Sequence, residues 1–161
     1  MPTAIHRMVE RCRAGEFPRL IQSMDSGWLI MAEQQVLPGY CLLLPDPVAP
    51  HLNALSEAAR SRFLADMARA GDALLAATGA VRVNYALFGN VEPALHAHLF
   101  PRMADEPDTV RLQQPWALDW RRAPPYAEAT HGELKRRIAA ALPLRPFSPE
   151  CRSGSARARP R

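Results

Sequence analysis

Ala94-Leu95-His96-Ala97-His98-Leu99-Phe100-Pro101-Arg102 separates its side chains by strand periodicity. Ala94, His96, His98 and Phe100 share one face, and Leu95, Ala97 and Leu99 share the other. The apolar set predicts a side that enters a core. The two imidazoles are left on the opposite side, where they can meet a ligand. Near neutral pH an imidazole serves as nucleophile, general acid or base, or metal ligand, so this strand carries the candidate chemistry.

The surrounding sequence predicts the frame that holds this strand. Val81, Val83, Tyr85 and Leu87 alternate with Arg82, Asn84 and Ala86, which predicts a strand with one buried face, and Gly89-Asn90 turns the chain into the histidine strand. Of the 16 prolines, none falls between Pro50 and Pro93, so long elements can run unbroken there. Phe63, Leu64, Met67, Gly71, Leu74 and Leu75 recur at helical spacing, with Arg60, Arg62, Asp66, Arg69 and Asp72 on the other side. One long amphipathic helix follows, with Ser56 as N-cap and Thr78-Gly79 as its stop.

Three further strands are predicted at Leu20 to Met24, Trp28 to Ala32 and Tyr40 to Leu44, broken at Asp25-Ser26-Gly27 and Pro38-Gly39. A first helix covers Ala4 to Arg13. Met103 to Tyr126, rich in proline and carrying Trp116 and Trp120, reads as an ordered irregular loop packed on the body. Thr130 and Glu133 have capping-box spacing, which predicts a last helix running to Leu142. Strands, then a long helix, then strands do not alternate as a doubly wound parallel sheet would. The expected class is α+β: an antiparallel sheet of about five strands with a long helix packed on it, plus N- and C-terminal helices.

Composition narrows the function classes. At 161 residues and 48% hydrophobic the chain fits one domain, expected over residues 1–142. The net charge of +4 resides in 143–161, where Arg145, Arg152, Arg157, Arg159 and Arg161 face only Glu150. This basic segment is expected to be a disordered tail, limited to weak contacts with nucleic acid. No apolar run approaches the roughly 20 residues that cross a bilayer, and Arg7, Glu10 and Arg11 interrupt any signal-like stretch, so a cytoplasmic location is expected. Cys12, Cys41 and Cys151 have neither disulfide-framework nor zinc-ligand spacing.

For His96 and His98 two chemistries compete with simple surface exposure. A zinc site needs at least a third ligand, and the flanking stretch offers only Glu92. Phosphoryl or nucleotidyl transfer needs an unprotonated ring nitrogen, a second proton-carrying group near the leaving oxygen, and donors for phosphate oxygens. His96, His98 and the Gly89-Asn90 turn supply those roles.

Here the stretch resembles the signature of the histidine triad (HIT) nucleotidyl hydrolases and transferases, which alternates three histidines with apolar residues and often continues into Pro-Arg. Leu37-Pro38-Gly39-Tyr40-Cys41-Leu42-Leu43-Leu44-Pro45 is similar to that family's Pro-Gly-His strand, and the helix after Leu55 falls where the family has its long helix. The resemblance covers Gly27 to Arg102. It implies that His96 is the middle histidine, attacking an α-phosphorus to form a nucleotidyl-histidine intermediate. His98 would be the last, hydrogen-bonding phosphate or the bridging oxygen. Gly89 and Asn90 would face the phosphates, and Glu33 is the nearest candidate for a ribose-binding acid.

Three positions depart from the pattern. Ala94 stands at the first triad position, Tyr40 where the family has Pro-Gly-His, and Val48 where a further histidine is usual. In the family the nucleophile's second nitrogen is thought to donate to the backbone carbonyl of the first triad position, which Ala94 retains. Gly89-Asn90-Val91-Glu92-Pro93 is similar to the lead-in of family branches that lack the first histidine. The implied activity is hydrolysis of a nucleoside 5′-phosphoanhydride or phosphoramidate, such as a dinucleoside polyphosphate, by a homodimer. No cofactor or metal is required by this route, although magnesium can accompany the substrate. The alternatives are a catalytically silent nucleotide-binding protein of the same fold and a His-x-His metal-binding module.

Overall fold

The two-residue turn Asp25-Ser26 joins β1 (Leu20–Met24) to β2 (Gly27–Met31) as an antiparallel hairpin. Its tightness requires a glycine next to it. A Cβ on Gly27 would lie 1.9 Å from the Leu44 carbonyl oxygen on the neighbouring strand β3 (Cys41–Pro45). The computed structural model describes residues 2–142, so the tail expected over 143–161 lies outside the described residues. Five strands form one antiparallel sheet in the order β1-β2-β3-β5-β4, with β4 at Arg82–Ala86 and β5 at Ala97–Arg102.

Among the described residues four α-helices accompany it: α1 (Ala4–Arg13), α2 (Glu57–Thr78), the one-turn α3 (Asp108–Arg111) and α4 (Glu128–Ala141). In α2 the Ser56 hydroxyl accepts from the Ala59 amide and Gly79 closes the helix in a left-handed conformation at φ 72°. Both ends therefore stop where their capping residues require. Phe63, Ala70, Leu74 and Ala77 of α2 pack with Ile138 of α4 against Leu29, Met31, Leu43, Ala97 and Leu99 of the sheet. Phe63 and Leu74 are fully buried, each contributing about 1.5–3 kcal/mol of apolar transfer. On the other face, Ile5, Val9 and Cys12 of α1 cover Ile30, Leu44 and Ala94. Beside them Ala32, Leu37, Tyr40 and Phe100 form a third cluster with Trp120 against it. Among the described residues no helix is long and apolar enough to cross a membrane.

Four expectations are corrected by packing. Asp66, assigned to the solvent side of the long helix, is 0% exposed. Its carboxylate accepts from the Ser26 amide and hydroxyl at 2.6 and 2.7 Å and is paired with Arg69, which also reaches Asp25 at 3.0 Å. Such a carboxylate is tolerated inside because charge-assisted bonds replace its hydration. The continuous buried face expected over Val81 to Leu87 is missing: Val81, just before β4, is 55% and Tyr85 43% exposed, and Val83 is half-buried, because packing cover thins out over this outermost strand. Helix α4 begins at Glu128 rather than after Thr130, and the Ala127 amide is met by His131 Nδ1 at 3.0 Å in place of a Thr130-Glu133 box. Finally, β5 starts at Ala97. His96 thus sits just before the ladder, whose last pairs are Leu43 with Ala97 and Ala86 with His98.

Candidate functional site

Glu92 anchors the approach to the histidines. Its two carboxylate oxygens accept from the Ala4 amide at 3.0 Å and the Ala94 amide at 3.2 Å, tying the start of α1 to the chain entering β5. Burial would raise the Glu92 pKa, but hydrogen bonds from Thr3, Ala94 and Ala4, with His96 nearby, outweigh it and hold the carboxyl below its ordinary range. The Leu95 amide turns inward to the Ala49 carbonyl at 2.8 Å. These bonds fix the backbone on both sides of Ala94, and with it the carbonyl that faces His96.

His96 is 7% exposed, and its Nδ1 lies 2.8 Å from the Ala94 carbonyl oxygen. A carbonyl only accepts, so Nδ1 carries a proton, and in the neutral ring Nε2 is the atom with the lone pair. The acceptor belongs to the backbone, so the bond does not depend on the side chain at position 94. His96 lines a recess of about 380 Å³ with Gly89, Phe88, Leu87 and the Pro50–Asn53 turn. His51 is exposed and forms part of that wall.

His98 meets different company. Its ring lies 4.6 Å from that of His96 at 66°, and its Nδ1 is 2.6 Å from the Tyr40 hydroxyl. Phe100 stacks beside it at 6.0 Å and 5°, while Trp116 stands edge-on at 5.0 Å and 88°. Burial in this aromatic setting, with His96 adding to it, lowers the His98 pKa from the usual 6.5 to about 4. His98 is therefore neutral at pH 7. Trp116 and Phe88 touch edge-on at 4.6 Å and also line a larger cavity of about 790 Å³ with Asn84, Arg82 and Arg111.

The other sequence candidates divide. Gly89 lies in the recess wall, and a Cβ there would meet nothing within 4 Å, so packing within the chain does not demand a glycine. Asn90 is exposed and lines neither cavity. Glu33 is also outside both: it lies beyond the end of β2, faces solvent and stands 3.5 Å from Arg19. Val48, at a departed histidine position, packs with the α1 cluster. Tyr40, noted only as a departure, and Trp116, read as packing, are the contacts sequence reasoning missed. Arg102 of the Pro-Arg ending is buried, forks onto Glu106 at 2.6 Å and donates to Asn84 Oδ1 and the Val110, Arg111 and Gln113 carbonyls. It holds the loop that carries Trp116. Among the described residues no group of three or more His, Cys, Asp or Glu is arranged to hold a metal ion.

Superposition on solved structures decides the fold. A histidine triad protein from Bradyrhizobium japonicum superposes with a TM-score of 0.67 at 18% identity, covering 81% of this chain and 94% of that one. The chain has the histidine triad fold. A histidine triad protein from Sinorhizobium meliloti is similar at a TM-score of 0.65 and 21% identity, over 76% of this chain and 88% of that one. A zinc-bound histidine triad family protein from Mycobacterium smegmatis gives 0.59 at 19% identity, over 79% and 88%. No family model and no curated protein sequence matches the chain. Within this fold, His98 falls near the N-terminal end of β5, the strand between β3 and the edge strand β4, and His96 lies just before it; Ala97 and Leu99, between and beyond them, face the long helix.

Proposed function

We propose that this protein is a HIT-family nucleotide hydrolase acting on a nucleoside 5′-phosphoanhydride or phosphoramidate through a nucleotidyl-histidine intermediate on His96. The observation that carries the reading is the 2.8 Å bond from His96 Nδ1 to the Ala94 carbonyl, which leaves Nε2 as the ring atom free for a phosphorus centre. In the first step Nε2 attacks the α-phosphorus, the bond to the leaving oxygen breaks with its electron pair, and the nucleotide stays on His96. In the second step water attacks that phosphorus and releases a nucleoside monophosphate. His98 hydrogen-bonds the phosphate or the bridging oxygen, and Gly89, in the recess wall, borders the phosphate space. The two-step route uses no metal of its own, and magnesium can arrive with the substrate.

The proposal extends to a cytoplasmic homodimer. Support for a partner comes from the unpaired outer edge of β4 and the exposed Val81 and Tyr85 beside it. A silent nucleotide-binding protein would keep the recess without turnover, and Ala94 is the feature that favours it. The separating experiment is rapid acid quench with a panel of adenylated and guanylated substrates, followed by mass detection of the adduct. An adduct mapped to His96, with released monophosphate, supports hydrolysis. Binding with neither adduct nor monophosphate supports the silent binder.

A further inference from the structure

Tyr40 is 4% exposed, and among the described residues its hydroxyl meets one partner, His98 Nδ1 at 2.6 Å. Buried hydroxyls donate when an acceptor is in reach, since an unmade bond leaves a desolvated donor. Burial also pushes the Tyr40 phenol far above its ordinary pKa, so it holds its proton at neutral pH. The ring of Tyr40 is clamped by Phe100 at 4.2 Å and Trp120 at 5.8 Å, which fixes the direction of the O–H.

We propose that Tyr40 is a positioning residue that holds His98 as the neutral tautomer protonated at Nε2, the complement of His96, whose Nε2 is bare. A phenol donating to Nδ1 leaves the single imidazole proton on Nε2. The pair then presents one lone pair and one N–H side by side, fixed by two different acceptor and donor groups: the Ala94 carbonyl and the Tyr40 hydroxyl. This assignment deepens, and for its role in turnover rests on, the reading of His98 as the group that meets phosphate. A neutral Nε2–H stabilises a departing oxygen by hydrogen bonding and keeps its proton. As the bond to the leaving oxygen breaks, the electron pair leaves with that oxygen, and the positive charge formed on nucleotidyl-His96 stays on that ring. Leaving groups that are stable as anions fit this arrangement.

The test is long-range nitrogen–proton correlation NMR on 15N-histidine protein at pH 7, with the His98 signals assigned by their loss in His98→Gln. The expected pattern is an unprotonated Nδ1 and a protonated Nε2 in the unmodified chain, moving toward the averaged pattern of a tautomer mixture in Tyr40→Phe. A protonated Nδ1 in the unmodified chain overturns the assignment, even if Tyr40→Phe fails to fold. A pattern unchanged by Tyr40→Phe overturns the role of Tyr40. Adenosine 5′-monophosphate added to the same sample separates this from the functional reading. A shift at neither His96 nor His98 defeats the nucleotide site, whereas the tautomer is decided before any ligand is added.

Discussion

His96 Nδ1 lies 2.8 Å from the carbonyl oxygen of Ala94, two residues earlier on the same strand approach. The orientation of the proposed nucleophile therefore depends on backbone held by Glu92 and Ala49, and the side chain at position 94 has no part in it. His96→Ala is expected to remove both the acid-trapped adduct and monophosphate release while nucleotide affinity changes by less than about tenfold, about 1.4 kcal/mol. Quenched-flow assay and isothermal titration check the two halves. An unchanged rate in this variant retires the mechanism.

Restoring a histidine at the first triad position is expected to harm the protein. Ala94 is 3% exposed and packs in the cluster of Ile5, Val9 and Cys12 from α1 with Ile30 and Leu44 of the sheet. Ala94→His overfills that contact at a cost of about 1–3 kcal/mol, read as a lower denaturant midpoint. Greater stability together with faster turnover would show that α1 yields there easily.

Substrate preference follows from the charge state of His98. With its pKa lowered to about 4 by burial and by His96, His98 holds one proton at pH 7 and donates a hydrogen bond without protonating an amine. Diadenosine polyphosphates, whose leaving groups depart as phosphate anions, are expected to be cleaved at least about tenfold faster in kcat/KM than adenosine 5′-phosphoramidates. Steady-state rates on the two classes measure it, and a preference for the amidates contradicts the neutral-donor picture.

The same shift predicts acid sensitivity. A histidine whose folded pKa is depressed contributes stability present above its unfolded pKa of about 6.5, and that stability is lost as pH falls toward 4. The groups packed around the ring are His96, Tyr40, Phe88, Phe100 and Trp116. Between pH 6.5 and 4 the unmodified chain should lose more stability than His98→Gln. Parallel melting curves for both proteins would expose the error if the losses are equal.

Arg102 offers a test of how the aromatic wall is held. Its guanidinium forks onto Glu106 and also reaches three carbonyls of the 110–113 segment, a pattern that a single ammonium cannot reproduce. Arg102→Lys is expected to loosen the loop bearing Trp116. Arg102→Ala takes the cation from the partly buried Glu106 carboxylate, leaves it with the Met103 amide, and is expected to lower stability further than Arg102→Lys does. Tryptophan emission and hydrogen exchange over 106–116 report the loosening, and unchanged protection in Arg102→Lys would assign the loop to other contacts.

Much of the frame was legible because it is local. Ala4 to Arg13 and Leu20 to Met24 match their elements end to end, and Ser56 and Gly79 bound the long helix as their capping chemistry requires. Within a few residues, side-chain periodicity, caps and turn residues fix backbone geometry without help from distant chain. They gave the five strands and put both imidazoles on one side of β5. The rest depended on register and burial between residues far apart in sequence. Tyr40 reaches His98 across 58 positions because β3 and β5 pair Leu42 with His98. Asp66 is buried because the β1–β2 turn closes over it, and Glu33 and Asn90 are exposed outside both cavities. The tautomer proposed for His98 depends on packing, because the tertiary structure brings the Tyr40 hydroxyl to its Nδ1, whereas the Ala94 carbonyl that meets His96 Nδ1 is only two residues away along the chain.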